Sequence, residues 1–395
     1  MTTQACPAVT GVRREKLREQ LQALGFDAVR FATATRPAGE SLRQWIEAGH
    51  HADMAWIERT VDKRQNPDLV LPGARSVILL GVNYWSGPEI GNRKSKSENL
   101  AWARYVLHTD YHDTIKAGLA EAGRLLEREH GAAATDYRYY VDTGPVLERG
   151  WAARSGLGFI GKNAILISRD YGNWLFLACI LTRLEIEADE PLRPESVRAN
   201  GHEPAGLLCG KCTRCLDACP TQAFPQPGVV DARRCISYQT IENKGVIPRE
   251  LRQGIGTRIY GCDVCLEVCP WNRFAQEGRR VLLTVRGEIA DLPLLEILEL
   301  TPVRFAAVFK GTAVKRLKLS GLLRNACVVA GNSGDRTLLP VLVRLAQHEL
   351  PLVRAHAVWA VRQIAGAEAD TLLAAARSAE TDATVRAEHP CSDGL

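Results

Sequence analysis

Eight of the 12 cysteines in this 395-residue chain fall between Cys209 and Cys269, and their spacing is that of an iron-sulfur protein. The run CGKCTRCLDACP places Cys209, Cys212, Cys215 and Cys219 at x2, x2 and x3 intervals and follows the last with Pro220. In that pattern three closely spaced thiolates wrap one 4Fe-4S cubane, while the fourth, displaced onto the next helix, points to a neighbouring cluster. A second run, CDVCLEVCP, supplies Cys262, Cys265 and Cys269, but Ile259 stands where its first cysteine belongs. Cys235, between the runs, is the nearby cysteine able to replace it. The expected ligand sets are therefore Cys209, Cys212, Cys215 and Cys269 for one cluster, and Cys219, Cys235, Cys262 and Cys265 for the other. Structural zinc is the alternative, but it usually joins two Cys-x2-Cys pairs into one tetrahedral site, which the triple x2 spacing does not resemble. Cys6, Cys179, Cys327 and Cys391 are left over.

A segment so rich in cysteine and proline is too small to build a large core, so other elements must position it. Before it, REKLREQLQALGF and SLRQWIEAGHHADMAWIER read as helices, and DAVRFATA and the apolar SVILLGVNYW as strands. A helix from about His112 to His130, strands in TDYRYYVDT, GFIGKNAILIS and NWLFLACILTRLEI, and a helix around Val146 to Ser155 complete an α/β domain of residues 1–200. A ferredoxin-like domain of residues 201–290 follows. Residues 291–395 are helical, and LLRNACVVAGN, LVRAHAVWAVRQ and TVRAEH put Arg324, Arg354 and Arg386 in matching places at intervals of 30 and 32. That period is one helical hairpin per unit, as in HEAT-like solenoids. The expected fold is α/β (α+β), with a bacterial ferredoxin-like two-cluster domain and a C-terminal HEAT-like region.

Composition is ordinary for a folded protein, 46% hydrophobic and 24% charged. No apolar run reaches the roughly 18 residues of a spanning helix, and the N-terminus lacks a signal-peptide core, so no membrane partner and a cytoplasmic location are expected. A net charge of +5 is too mild to establish a nucleic-acid partner by itself.

The segment VDTGPVLERGWAARSGLGFIGKNAILI gathers Asp142, Glu148, Arg149, Arg154, Lys162 and Asn163 among glycines that permit close approach of a ligand. With KRQNPDLVLPGA, RYVLHTDYHD and the two cysteine runs, it resembles the epoxyqueuosine reductase family over nearly the whole chain. The resemblance implies cobalamin, cob(II)alamin at rest, reduced by electrons passing through the two 4Fe-4S clusters from an external one-electron donor such as a flavodoxin or ferredoxin. It implies a tRNA bearing epoxyqueuosine as substrate, reduced to queuosine at the wobble position. It makes Asp142 the proton donor, a role that a buried carboxyl with a raised pKa would suit. Without the resemblance, Asp142 reads as an Asx-type cap.

The same resemblance puts the corrinoid against Arg64, Tyr105, Asp142, Lys162 and Asn163 on one side and Ser237, Cys262 and Asp263 on the other. Arg64 and Tyr105 read equally as a surface ion pair and a core aromatic. No Asp-x-His-x-x-Gly motif is present, so no histidine is expected on cobalt, and His108 and His112 read as scaffold. Lys244, Lys315, Arg316, Lys318 and Arg324 are the tRNA-binding candidates, with a solvated helical face as the plain alternative. Arg354 and Arg386 read as pairing within the solenoid. Two other readings share these features: a corrinoid reductive dehalogenase-like enzyme acting on a small molecule, and a ferredoxin-type electron-transfer module with a protein-docking arm.

Overall fold

A computed structural model describes residues 8–35, 41–85, 87, 100–193, 204–278, 281 and 283–389, so Cys6 and Cys391 lie outside the described residues. The chain divides into two compact units: residues 1–91, 110–231 and 264–284 form the first, and 92–109, 232–263 and 285–395 the second.

The first unit is built on a four-stranded sheet of β1 (Ala28–Thr33), β2 (Ser76–Asn83), β3 (Tyr137–Val141) and β4 (Leu175–Thr182), in the order β1-β2-β4-β3. Every pairing is antiparallel, with Ile78 opposite Phe31 on one side and Ile180 on the other. β2 is buried along its whole length, which is why its sequence is an apolar run rather than an alternation. β4 is different: Leu175, Phe176 and Leu177 are partly exposed before the strand becomes fully buried. Trp151, Ala152 and Ala153 of the helix Glu148–Arg154 pack with Val77, Leu79, Cys179 and Leu181 in one apolar cluster. A sheet face that must bury these residues fixes where the loop before that helix can run.

The helix expected over SLRQWIEAGHHADMAWIER is two short helices, Ser41–Glu47 and Ala55–Glu58. Gly49 and Ala52 between them both have positive φ, 67° and 56°, a conformation that ends a helix. The strand expected in GFIGKNAILIS is likewise a pair of two-residue strands, Phe159–Ile160 and Leu166–Ile167, joined by a loop that carries Lys162 and Asn163.

In the second unit the helices Lys318–Ser333 and Pro351–Ala365 are Ala-, Leu- and Val-rich and almost wholly buried along their facing sides. A short parallel pairing joins Ala101–Trp102 to Arg258–Tyr260. Ile259, the residue in place of a cysteine, is 0% exposed in that strand, and its carbonyl accepts a hydrogen bond from the Asn325 side chain. An apolar side chain there serves the core.

The repeated arginines are internal fasteners. Arg324 is fully buried and donates to the carbonyls of Gln239, Asn243 and Gly245 and to Asn325 Oδ1. Burial lowers its pKa to about 10, which leaves it charged at neutral pH. Arg354 grips Glu380 through two bonds of 2.7 and 2.9 Å, and Arg386 Nε donates to the Glu380 carbonyl. The assignment of Arg324 to tRNA contact is therefore corrected: four internal acceptors hold it in a place no phosphate reaches.

Candidate functional site

The first unit contains a cavity of about 750 Å³ whose floor is the partly exposed start of β4. Trp56, Ile57, Leu147, Leu175 and Phe176 give it apolar walls, and Arg64, Tyr111, Asp142, Glu148, Arg149 and Arg154 supply its polar groups. Among the described residues, none of those lining it is a histidine. Its size lies within the roughly 300–1,000 Å³ range of small-molecule and cofactor sites.

Asp142 stands where β3 ends, with φ +57°, a backbone conformation uncommon for a residue with a side chain. Strain of this kind persists where the surroundings enforce it. Two residues on, the chain passes so close to the Tyr140 ring that only a glycine fits at position 144. Tyr111, the first residue of the helix Tyr111–His130, completes the restraint: its ring stacks on Phe176 at 4.1 Å and 11°, and its hydroxyl donates to Asp142 Oδ2 at 2.6 Å. The sequence reading missed Tyr111, although it lies inside the quoted RYVLHTDYHD. Aromatic-to-carboxylate pairing across 31 positions has no periodic signal.

Two features differ from expectation. Asp142 is exposed rather than buried, and it does not cap the helix that follows, whose N-cap is Leu147. A carboxyl whose pKa is raised lies further along the loop, at Glu148. Loss of solvation pushes it up to about 7, and the neighbouring Asp142 charge adds to this against the opposing pull of Arg64 and Arg149. Glu148 is part-exposed and lines the cavity, and loss of solvation is the largest cause of its raised pKa.

Arg64 forms no ion pair among the described residues and is half-buried. It donates to Thr60 Oγ1 and to the Val146 carbonyl, both at 3.0 Å, and its guanidinium lies 5.4 Å from the centre of the Trp56 ring. It thus anchors the stretch between Asp142 and Glu148 while lining the cavity. Burial lowers its pKa.

Lys162 and Asn163 line a different cavity. Cys209, Cys212, Cys215 and Cys269 surround a space of about 120 Å³ together with these two residues, Ile167, Pro270 and Trp271. Lys162 Nζ donates to the carbonyls of Gly210 at 2.8 Å and Cys212 at 3.0 Å, tying down the loop that carries the first thiols. Gly206 lies beneath its stem at φ +79°, and a Cβ there would come within 2.7 Å of Lys162 Cγ. Asn163, buried, donates to Asn173 Oδ1 and to the Cys265 carbonyl. Burial, then the nearby Cys209 and Cys269 thiolates, pushes Cys215 up to about 11, and burial raises Cys209 as well. Such thiols deprotonate when metal takes the charge. Among the described residues no three His, Cys, Asp or Glu side chains are placed to hold a single metal ion. Four thiols around a cavity, rather than converging on a point, fit a cluster and not tetrahedral zinc.

Cys219 and Cys265 also belong to the first unit, and Cys235 and Cys262 to the second. In the second unit Cys235 is the N-cap of the helix Ile236–Ile241, which carries Ser237, and Asp263 Oδ2 accepts the Arg104 backbone N–H at 2.6 Å. Tyr105, in the same unit, packs 6.3 Å from the Tyr260 ring. Lys244, Lys315, Arg316 and Lys318 are exposed, with Lys244 Nζ donating to the Ile241 carbonyl.

Comparison with known proteins agrees with this layout. Residues 64–143 match the family described as epoxyqueuosine reductase QueG, DUF1730, residues 208–272 a 4Fe-4S double cluster binding domain, and residues 321–389 HEAT repeats. The epoxyqueuosine reductase of Aliivibrio fischeri is 36% identical over 86% of this chain and 88% of its own length. The chain belongs to the epoxyqueuosine reductase family. The Synechocystis epoxyqueuosine reductase is 40% identical over 74% of this chain and 96% of its own. A crystal structure of an epoxyqueuosine reductase with an epoxyqueuosine-modified tRNA-Tyr stem loop superposes with TM-score 0.83 at 29% identity, covering 95% of this chain and 96% of that one. The epoxyqueuosine reductase of Bacillus subtilis, captured with a catalytic aspartate loop swung out of its active site, gives TM-score 0.83 at 30% identity over the same shares. This member of the family is an oxidoreductase with a double 4Fe-4S domain, and among its described residues no helix is long and apolar enough to cross a membrane.

Proposed function

We propose that this enzyme reduces epoxyqueuosine to queuosine at the wobble position of tRNA, with Asp142 as the acid that protonates the departing oxygen. The observation that carries the reading is the strained Asp142, held by Tyr111 at the wall of the 750 Å³ cavity, in a unit whose second cavity is ringed by four thiols. Cleavage of an epoxide C–O bond builds negative charge on oxygen, and a carboxyl fixed beside that oxygen answers it.

The large cavity suits cobalamin. Its broad apolar walls would fit a flat macrocycle, and Arg64 and the backbone of the 142–148 stretch could meet the polar rim. When bound, cobalamin supplies the low-potential reductant for the epoxide. The chain's own residues do the rest: Trp56, Leu175 and Phe176 exclude water, Arg64 holds the acidic stretch in place through Val146, and Tyr111 aims Asp142. Tyr105, Ser237, Cys262 and Asp263 are kept as corrinoid contacts on the resemblance alone. Lys162 and Asn163 are better supported on the side of the thiol cavity.

Cys209, Cys212, Cys215 and Cys269 are proposed for one cluster and Cys219, Cys235, Cys262 and Cys265 for the other, the second set on cysteine spacing and the match to a double cluster domain. Electrons enter from a low-potential one-electron donor of the flavodoxin or ferredoxin kind. Residues 1–200 are assigned to corrinoid binding, 201–290 to the clusters and 291–395 to the tRNA side, where exposed Lys244, Lys315, Arg316 and Lys318 provide phosphate contacts. A cytoplasmic location accords with a tRNA substrate.

Anaerobic reconstitution with iron, sulfide and cobalamin, followed by incubation with reductant and epoxyqueuosine-bearing tRNA, tests the proposal. Nucleoside analysis is expected to show queuosine. Unconverted tRNA despite full cluster and cobalamin content would overturn it.

A further inference from the structure

Removing an epoxide oxygen as water takes two protons as well as two electrons. Both C–O bonds break, the two carbons keep the added electron pair as a new double bond, and the oxygen leaves with two hydrogens. A single carboxylic acid carries one of those protons. Asp142 must therefore be refilled within the turnover, or a second acid must act.

Glu148 lines the same cavity as Asp142, six residues further along one loop whose middle is anchored by the Arg64 bond to the Val146 carbonyl. Its helix is fixed from below, because Trp151, Ala152 and Ala153 are sealed into the apolar cluster with Cys179. The first residue of that helix is thereby held at the cavity rather than free to swing into solvent. Three charged groups bear on it: Asp142 from its own loop, Arg149 beside it and Arg64 from the helix Val61–Gln65, while the Cys179 thiol of β4, itself pushed up by burial and by Glu148, faces it uncharged. The balance of these with desolvation keeps the carboxyl protonated for a substantial fraction of the time near neutral pH, where its pKa is pushed up to about 7. A carboxyl serving only as a first-turn acid of the helix has no reason to hold its proton.

We propose that Glu148 is the proton reserve of this site, passing its proton to Asp142 after Asp142 has protonated the opened ring oxygen. The sequence of transfers balances. Asp142 gives the first proton to the oxygen, Glu148 reprotonates Asp142, and Asp142 gives the second as the oxygen departs as water. The electrons come from the one-electron donor, and both carboxylates are reloaded from solvent. Glu148 acts through Asp142, so it is a positioning residue for protons and touches no reacting atom. The inference rests on the epoxide-reduction reading above.

The test compares the full-length reconstituted enzyme with its Glu148→Gln and Glu148→Asp variants. Glu148→Gln is expected to keep iron, sulfide and tRNA affinity, to lose about 10²-fold in turnover, and to lose the limb of the pH-rate profile near neutrality. Glu148→Asp is expected to recover part of the rate with that limb displaced. Infrared difference spectra of the protein without substrate provide an independent readout: a carboxyl band titrating near neutral pH in the wild type and missing from Glu148→Gln. Wild-type turnover or an unchanged pH limb in Glu148→Gln overturns the inference, as does absence of the band from the wild type. If the band is present but wild-type enzyme converts no epoxyqueuosine, the failure lies in the substrate reading, and the two-proton requirement falls with it.

Discussion

The Tyr111 hydroxyl meets Asp142 Oδ2 at 2.6 Å while its ring lies flat on Phe176, so one side chain both shapes the cavity floor and aims the acid. Removing the hydroxyl separates these tasks. Tyr111→Phe should keep cluster content and tRNA affinity while kcat falls, on the order of 10-fold. Asp142→Asn should lose about 10²- to 10⁴-fold with cofactor and clusters retained. Steady-state kinetics with iron and cobalt analysis checks both, and full activity of Asp142→Asn would remove it from the mechanism.

Replacing Cys212 with Ser removes one of four thiols from the 120 Å³ cavity. Iron and acid-labile sulfide should fall to about half of the wild-type content, because the pattern assigns Cys212 to one cluster of two. Zinc without sulfide in the wild type would defeat the whole ligand scheme.

Buried and exposed cations in the second unit should part company. Arg324→Met strips the hydrogen bonds from the buried carbonyls of Gln239 and Asn243, each costing about 1–3 kcal/mol to leave unmet, and from the half-buried carbonyl of Gly245. It should lower Tm sharply. Lys315→Glu with Arg316→Glu, at exposed positions, should leave Tm nearly unchanged but weaken tRNA binding and flatten its dependence on salt. Equal tRNA affinity and salt slope in the double variant would place the RNA elsewhere.

His356 gives the second unit a pH sensitivity. Its Nε2 accepts the Ile247 N–H at 3.1 Å and its Nδ1 lies 2.7 Å from the Leu352 carbonyl, an arrangement that requires the neutral ring. Burial foremost, then Arg252, holds its pKa well below 6.5. In the unfolded chain the ring protonates near about 6.5, so below that pH the unfolded state binds more protons. The stability contribution is therefore whole above that pH and is lost as pH falls towards the folded-state pKa, by up to about 1.4 kcal/mol per pH unit. Denaturant unfolding at pH 7.5 and 5.5 should show a smaller loss in His356→Gln than in the wild type.

The cysteine runs were legible because metal ligation forces thiols to fixed short spacings, and the buried strands because β2 and β4 are long apolar runs. The arginine repeat was legible too, but its meaning was not. Arg324 looks like a basic-patch residue beside Lys315 and Arg316, yet three of its four acceptors lie 79 to 85 residues away. The same long reach hid Tyr111 and moved Lys162 to the thiol cavity. Glu148 was visible as one polar residue among several. Only the enclosure of its carboxyl distinguishes it, and enclosure is a property of four chain segments at once.

Lys162 bears on energetics as well as placement. An iron-sulfur cluster gains negative charge on reduction, and its potential follows the charges and hydrogen bonds around it. A permanent cation pinned to the Gly210 and Cys212 carbonyls favours the electron-loaded form at that end of the chain. Exchanging it for methionine should shift the midpoint of a cluster held by these thiols to more negative values, making that cluster harder to load with an electron.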